Sequence, residues 1–200
     1  MHKMNRTHAF SGRQYRRRIL VIKGMDTAMP SIFFRVMSWS FRKRNAAAFT
    51  SRFLDEAGIR AGDTVLDFGC GPGSFSVAAA LRTGPSGRVH ACDIQPLAAG
   101  FIRRKAAEAG VANVTFLCAG RDTGLAAGSV DVVLLYDVLH MLSEPGAVLT
   151  ELSRVLRPGG LLSVSDHHME EARIRSVVQG GPGFAFERPG AATLLFARRS

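Results

Sequence analysis

Three glycines at alternate positions mark the point where a short apolar strand should turn into a helix, in the run Val65-Leu66-Asp67-Phe68-Gly69-Cys70-Gly71-Pro72-Gly73. Glycine lets the backbone turn sharply, and because it has no Cβ a ligand can lie directly against the main chain. Glycine-rich turns of this kind occur in many α/β proteins that bind nucleotides, so the turn alone leaves the ligand open. The turn does require a strand that is followed at once by a helix.

From Thr64 onward, short β-branched runs alternate with longer helical stretches. This alternation predicts an α/β fold with a Rossmann-like, mostly parallel seven-stranded sheet, helices on both faces and a C-terminal antiparallel hairpin. The predicted strands cover residues 64–68, 88–93, 114–119, 130–136 and 161–166, and the hairpin covers residues 184–187 and 193–197. The predicted helices cover about residues 74–82, 96–109, 144–156 and 169–178. A turn at residues 157–160 should separate the last long helix from the fifth strand.

The net charge of +10 is concentrated in the first quarter of the chain. Residues 1–50 hold eleven Lys or Arg and one acid, whereas residues 51–200 hold fifteen of each. The sequence therefore predicts a basic, partly disordered extension of residues 1–50 and a charge-balanced domain of residues 51–200. Within the extension, residues 31–44 present a broad apolar surface interrupted by arginines, which predicts an amphipathic helix.

Three cysteines, Cys70, Cys92 and Cys118, lack the spacing of a zinc site or of a disulfide framework. This use of cysteine fits a reducing compartment, and we expect a cytoplasmic protein. The apolar run after Arg16-Arg17-Arg18 is too short for the core of a signal peptide, and no run reaches the length of a membrane span.

Two carboxylates flank the glycine turn. Asp67 lies two residues before the first glycine, at the expected edge of the sheet, where it favours an ammonium or sulfonium over a pyrophosphate. Asp93 ends the second predicted strand, about 20 residues beyond the glycines, and can accept hydrogen bonds from both hydroxyls of a ribose. The GxGxG spacing also differs from the GxGxxG of dinucleotide-binding turns. The sequence thus predicts an adenosine-type ligand with a cationic end, although Asp67 could instead cap the amides of its own loop.

From about Gly62 to Asp166, roughly half of the chain, the sequence resembles the class I S-adenosylmethionine (SAM)-dependent methyltransferases, in particular the small UbiE-like methyltransferase-domain proteins. The resemblance rests on the glycine turn, the strand end at Asp93, the run of residues 128–133 and the run Leu156-Arg157-Pro158-Gly159-Gly160. It implies that residues 51–200 form a SAM-binding methyltransferase domain. It also implies SAM as the cofactor and methyl transfer as the reaction.

The predicted cofactor-binding residues are Asp67, Gly69, Cys70, Gly71, Gly73, Asp93, Ile94, Gly120, Arg121, Asp122 and Tyr136. In the family resembled, the residues after the third strand approach the adenine, and the familiar Gly-Asp-Ala of that place stands here as Gly120-Arg121-Asp122. Asp122 is the preferred partner of the adenine amino group, because a carboxylate can accept its hydrogen bond and a guanidinium cannot.

The segment of residues 136–140 should face the transferred methyl group, because strand ends of an open parallel sheet line the ligand crevice. His140 could deprotonate an acceptor near neutral pH, and the run Asp166-His167-His168 reaches the same edge of the sheet. We therefore predict His140 and His167 as catalytic residues. A base is not obligatory, since methyl transfer depends chiefly on in-line positioning, and His140 could simply pack or cap its loop. No metal is expected, because there is no HxxxH helix.

The Asn-Pro-Pro-aromatic motif of enzymes that methylate exocyclic amino or amide nitrogens is absent after strand four, where Tyr136-Asp137-Val138-Leu139 stands instead. In the family resembled, the segment before the glycine turn often forms a lid, and residues 30–49 occupy that place. An apolar lid predicts a small, hydrophobic methyl acceptor, and its arginines predict peripheral contact with an anionic membrane. The aromatic side chains of this segment could equally cover a bare edge of the domain.

Two other functions stay open at this point. One is a non-catalytic SAM-fold module that binds the nucleotide or serves as a scaffold, and the other is an NAD-dependent oxidoreductase, which the glycine spacing disfavours. No nucleic-acid module is recognisable, and the sequence does not predict an oligomeric state.

Overall fold

The computed structural model describes residues 30, 31, 34, 47–181 and 183–199. The helices are α1 (Ala47–Glu56), α2 (Ser74–Thr83), α3 (Ala98–Ala109), α4 (Pro145–Val155) and α5 (Glu171–Gly180), with a short 3-10 helix at Leu139–Met141. The strands are β1 (Thr64–Phe68), β2 (Arg88–Asp93), β3 (Val114–Cys118), β4 (Val130–Tyr136), β5 (Leu156–Ser165), β6 (Phe184–Pro189) and β7 (Leu194–Arg198). The predicted amphipathic helix of residues 31–44 lies outside the described residues except at Ser31 and Phe34.

The seven strands form one sheet in the order β3-β2-β1-β4-β5-β7-β6. Strands β1 to β5 pair in parallel, whereas β7 is antiparallel to both of its neighbours, β5 and β6. The predicted Rossmann-like sheet with an antiparallel hairpin is therefore confirmed. The strand order reverses between β1 and β4, and open parallel sheets bind their ligands at the carboxyl ends of the strands beside such a reversal.

The centre of the sheet is apolar on both faces, as expected for parallel strands covered by helices. In β4 every residue except Asp131 is buried. Val133 belongs to the core on the side of α4 and α5, while Val132 and Leu134 pack with residues of α1 and α2. These two cores hold β1 and β4 rigidly, so the loops that follow both strands start from fixed positions.

The start of β5 differs from the prediction of a strand beginning at residue 161. Leu156 already pairs with Val130, and the next pair is Leu161 with Val132, so residues 157–160 bulge out of the ladder. The two glycines of this run permit the bulge, because one has a φ of 71° and a Cβ on the other would lie 2.9 Å from a backbone carbonyl. The predicted turn thus exists as an interruption within the strand.

The helices of the described residues are short, with ten to twelve residues each apart from the 3-10 turn. None of the helices within these ranges is both long enough and apolar enough to cross a bilayer.

Candidate active site

A cavity of about 550 Å³ opens at the carboxyl ends of β1, β2 and β4. Its volume lies within the range of pockets that hold small molecules and cofactors. Most of the residues predicted from the sequence line it, although they come from five separate segments, at and after the ends of β1 to β5. They are Asp67, Gly69, Cys70, Gly71, Asp93, Ile94, Gly120, Arg121, Tyr136, His140 and His167.

Two predicted residues do not line the cavity. Gly73 precedes α2 with a φ of 77°, and a Cβ there would come within 2.3 Å of the side chain of Ile102, so this glycine lets α2 and α3 approach each other. Asp122 is exposed, and its Oδ1 accepts a hydrogen bond from the N–H of Gly124 at 2.9 Å. The proposed contact of Asp122 with adenine stays a prediction.

The backbone N–H groups of the glycine turn are already used inside the protein. The hydrogen bonds run from Gly69 to the carbonyl of Cys92 (2.8 Å), from Cys70 to the same carbonyl (3.0 Å), from Gly71 to Oδ2 of Asp93 (2.8 Å) and from Gly73 to the carbonyl of Cys70 (2.9 Å). Pro72 has no N–H to offer. A loop that cradles a phosphate does so with unpaired N–H groups, so this turn is not suited to a pyrophosphate. The carboxylate that caps the turn is Asp93, since none of these N–H groups donates to Asp67.

Asp67 is buried beneath the turn, where its Oδ2 accepts a hydrogen bond from the hydroxyl of Ser76 at 2.5 Å. The pKa of Asp67 is raised to about 7, chiefly by burial and also by the neighbouring Asp93, while the hydroxyl and the backbone N–H of Ser76 oppose the shift. A buried carboxyl with so raised a pKa gains most from a cation placed next to it.

Asp93 holds the turn and the start of the following loop together. Its Oδ2 accepts from Gly71, and its Oδ1 accepts from the N–H of Gln95 at 2.8 Å. Burial raises the pKa of Asp93 against these two hydrogen bonds. Each carboxylate oxygen can accept more than one hydrogen bond, so Asp93 keeps acceptor capacity for a ribose.

The charged side chains around the cavity are mostly acidic. Asp67, Asp93, Asp137 and Glu144 line it, and the lining cation Arg121 is paired with Glu144. A cavity walled in this way favours a positively charged ligand and disfavours a phosphate.

His140 and His167 each pair with an aspartate on the rim of the cavity. Nδ1 of His140 lies 2.8 Å from Oδ2 of the buried Asp166, which also accepts the backbone N–H of His140. Nδ1 of His167 lies 2.5 Å from Oδ1 of Asp137, which also accepts the backbone N–H of His167. For His140, the bond to Asp166 fixes the ring and leaves Nε2 as the nitrogen that can take a proton.

His168 lies between these two rings. Its ring centroid is 4.2 Å from that of His140 and 3.8 Å from that of His167. Burial lowers the pKa of His168, and the two neighbouring imidazoles lower it further. Among the described residues, no group of three or more His, Cys, Asp or Glu side chains is arranged to hold a metal ion.

Aromatic rings form part of the wall of the cavity. Phe49, Phe75 and Tyr136 line it, and Phe53 packs behind them with its ring centroid 5.3 Å from that of Tyr136. The hydroxyl of Tyr136 is bonded to Ser163 at 2.8 Å, so this residue serves the wall through its ring. Such a wall suits an apolar ligand and excludes water from it.

Phe34 also lines the cavity and is almost completely buried, at 1% exposure. Its ring meets that of Phe101 on α3 edge to face, with 5.7 Å between the centroids. Phe34 is the described residue of the predicted helix that reaches the site.

The strand order is that of the class I SAM-dependent methyltransferase fold. The acidic cavity at the carboxyl ends of its strands suits a cationic nucleoside. A family model of a methyltransferase domain matches residues 59–182, which is more than half of the chain. The chain therefore belongs to the methyltransferase-domain family, and the resemblance drawn from the glycine turn and Asp93 is confirmed. SAM is accordingly the cofactor, and the acidic cavity with its occupied loop amides fits that molecule.

Two curated relatives cover the same part of the chain. Nocamycin O-methyltransferase of Saccharothrix syringae is 36% identical over 115 residues, which are 57% of this chain and 41% of the relative. The ubiquinone/menaquinone biosynthesis C-methyltransferase UbiE of Paraburkholderia phymatum is 34% identical over 117 residues, which are 58% of this chain and 47% of the relative. The chain thus matches less than half the length of each of these relatives.

Among solved structures, a SAM-dependent methyltransferase from Aquifex aeolicus superimposes with a TM-score of 0.72. The superposition covers 82% of this chain and 95% of that one, at 23% sequence identity. At this identity the likeness supports the fold.

Several lining residues were not predicted from the sequence. They are Phe49, Ser74, Phe75, Gln95, Met141, Leu142 and Glu144, among others. Gln95 and Glu144 could have been found from local signals, because one follows the strand end at Asp93 and the other precedes the helix-starting Pro145. The aromatic residues carry no such signal, since a phenylalanine on an amphipathic helix is more often part of the core.

Proposed function

We propose that this chain transfers the methyl group of SAM to a small, apolar acceptor, with His140 as the base where the acceptor atom carries a proton. One observation carries the proposal: the aromatic wall and the His140–Asp166 pair face the same cavity as the two carboxylates of the glycine turn. The names of the two relatives, nocamycin O-methyltransferase and the ubiquinone/menaquinone biosynthesis C-methyltransferase, support a small-molecule acceptor.

When bound, SAM supplies a methyl group on a positively charged sulfur. In this proposal Asp93 accepts hydrogen bonds from the ribose hydroxyls, and Asp67 compensates positive charge from beneath the turn. The enzyme's main contribution is then to hold the acceptor atom in line with the methyl group, because positioning supplies much of the rate of a displacement. Phe49 and Phe75 provide the apolar surface that holds the acceptor.

In this proposal Nε2 of His140 takes the proton from the acceptor. Asp166 is buried, and its hydrogen bond to Nδ1 favours the tautomer in which Nε2 is the acceptor. The same carboxylate stabilises the imidazolium formed when the proton is taken. The neutral His168 ring packs against His140 and keeps it from turning away.

The acceptor is proposed to come from an anionic membrane surface. The support is the combination of the aromatic wall with the eleven basic residues among residues 1–50. Vesicle co-sedimentation of the full chain tests this, since binding should increase with the fraction of anionic lipid and decrease with salt.

The central experiment uses the full chain with methyl-labelled SAM and a panel of small aromatic acceptors. The panel offers hydroxyl, thiol, amine and activated carbon on one aromatic scaffold. We expect labelled product from at least one of them, and a higher acceptor KM in Phe49→Ala with an unchanged Kd for S-adenosylhomocysteine (SAH).

For an acceptor that must lose a proton, His140→Asn should lower kcat by about 10²- to 10⁴-fold. Asparagine keeps a donor to Asp166 but lacks Nε2, so the folded structure and SAH affinity should be retained. The matched control is His90→Asn, which changes a histidine of β2 outside the cavity lining.

Two outcomes would contradict the proposal. SAH binding without transfer to any acceptor would favour the non-catalytic module. Wild-type protein that binds neither SAM nor SAH would remove the basis of the assignment altogether.

A further inference from the structure

The amino-acid end of SAM carries an ammonium and a carboxylate, and the carboxylate requires hydrogen-bond donors. The glycine turn cannot supply them, because the N–H groups of Gly69, Cys70, Gly71 and Gly73 already donate within the protein. Arg121, the cation on the cavity wall, is paired with Glu144. Another part of the wall is therefore the better source of a donor to the carboxylate.

Ser74 is the first residue of α2 and lines the cavity directly beside the glycine turn. Nζ of Lys105, which reaches across from α3, lies 2.6 Å from Oγ of Ser74. An ammonium can only donate, so the serine oxygen accepts this hydrogen bond and its own proton is left to donate elsewhere. Donation from Lys105 polarises the hydroxyl and makes it a better donor to an anion.

Within the described ranges, the charge of Lys105 forms no ion pair with a carboxylate. No Asp or Glu oxygen among the described residues lies within 4 Å of its Nζ, whereas the adjacent Arg104 pairs with Glu108 at 3.6 Å. Lys105 is half-buried, and burial lowers its pKa, with Arg104 lowering it further and Glu108 opposing. An uncompensated cation in such a place costs stability unless an anion comes to it.

We propose that Ser74 binds the carboxylate of SAM through its hydroxyl and that Lys105 is the positioning residue that aims and polarises this hydroxyl. The inference rests on SAM being the methyl donor, as proposed above. In this arrangement the two charged groups at the amino-acid end of SAM have separate partners. Asp67 compensates the ammonium, and the Ser74–Lys105 pair binds the carboxylate.

The test compares two ligands that differ only in the carboxylate, SAH and decarboxylated SAH, by calorimetry on the full chain. Wild-type protein should bind SAH about 10- to 100-fold more tightly, as expected for a hydrogen bond to a charged group. In Lys105→Met and in Ser74→Ala this preference should fall to about twofold or less, while the affinity for decarboxylated SAH stays within about twofold of wild type.

Two further variants separate positioning from general charge or packing. Lys105→Arg keeps the charge and should restore most of the preference for SAH. Arg104→Met removes a neighbouring charge from the exposed face of α3, which is 66% exposed at this side chain, and should leave the preference unchanged.

Equal weakening of both ligands in Lys105→Met would overturn the inference, because a structural role affects both. An unchanged preference in Lys105→Met and Ser74→Ala would overturn it as well. Should Lys105→Met fail to fold in a thermal melt, Ser74→Ala carries the same comparison. Wild-type protein that binds neither ligand would instead overturn the proposed function, and this inference with it.

Discussion

Asp67 and Glu56 are two shielded carboxylates that the molecule treats in opposite ways. Glu56, at the end of α1, accepts hydrogen bonds from the N–H groups of Ala191, Ala192 and Thr193 and from the Thr193 hydroxyl, all at about 3 Å. Asp67, beneath the glycine turn, accepts from the hydroxyl of Ser76. One carboxylate is surrounded by donors, and the other is not.

The pKa values follow from this difference. Burial by itself would raise the pKa of Glu56, but its hydrogen bonds outweigh that effect and the pKa is lowered. For Asp67 burial dominates and raises the pKa to about 7. The fold supplies hydrogen-bond donors to a carboxylate whose work is structural, and we expect the carboxylate in the cavity to be compensated by a ligand instead.

The largest expected effect is on cofactor binding by Asp93→Ala. This change removes the acceptor proposed for both ribose hydroxyls and also releases the N–H of Gly71. The Kd of SAH should rise by about 100- to 1,000-fold, measured by calorimetry.

Asp122→Ala is the control for that change, because Asp122 does not line the cavity. Its SAH affinity should stay within about twofold of wild type. A loss as large as that of Asp93→Ala would instead support the adenine contact predicted for Asp122 from the sequence.

The next effect concerns Glu56, the structural carboxylate. Glu56→Gln should lower the free energy of unfolding by about 2 kcal/mol in urea titrations at pH 7, because neutral glutamine is a poorer acceptor for the turn. The folded-state pKa of Glu56 is lowered. Its ionised carboxylate therefore contributes its full stabilisation above the unfolded pKa, and this stabilisation is lost as pH falls from there through the folded-state pKa. The difference between variant and wild type should therefore shrink in acid.

Glu108→Gln serves as the control for Glu56. Glu108 forms an exposed pair with Arg104, and such pairs contribute at most about 1 kcal/mol. If Glu56→Gln weakened SAH binding as strongly as it weakened folding, the division between a structural and a functional carboxylate would fail.

The smallest expected effect is a pH dependence that belongs to Asp67. With a pKa of about 7, Asp67 is mostly ionised at pH 8 and mostly protonated at pH 6, and the ionised form favours the ammonium group that SAM and SAH both carry. SAH affinity should fall by about tenfold between these two pH values, since that is the loss in the ionised fraction. Asp67→Asn should bind more weakly at pH 8 and show a flatter profile.

The stability of Asp67→Asn provides an independent check with the opposite sign. The folded chain binds the Asp67 proton more tightly than the unfolded chain. The carboxyl therefore destabilises the fold progressively as pH rises from the unfolded pKa of about 4 to about 7, and fully above it. The free energy of unfolding of Asp67→Asn should therefore exceed that of wild type by most at pH 8. A variant less stable than wild type at every pH would show that Asp67 is a structural residue.

Much of the fold could be predicted because its signals are local. The ends of β1 and β2 follow from apolar runs bounded by glycines and acids, and the predicted ranges of residues 64–68 and 88–93 match the structure. The start of β5 could not be predicted, because a strand that continues through Pro158 and two glycines is recognised only from its pairing with β4.

The site was predictable to the extent that each residue carries its own signal. Asp67 and Asp93 are recognisable from their distance to the glycines, and His140 from its place after β4. The partners of these residues come from distant parts of the chain, as with Asp166 for His140 or Lys105 for Ser74, and spacing in the sequence does not show such contacts. The left-handed backbone at Asp137, with a φ of 56°, is likewise visible only in three dimensions.

The contact between residues 191–193 and Glu56 has a consequence for how the enzyme is made. Residues 191–193 hold Glu56 at the end of α1, and α1 also carries Phe49, which lines the cavity, and Phe53, which packs behind it. During synthesis, at about 5–20 residues per second, residues 191–193 leave the ribosome after α1 to α5. The hydrogen bonds that hold Glu56 can therefore form only after α1 to α5 have all been synthesised.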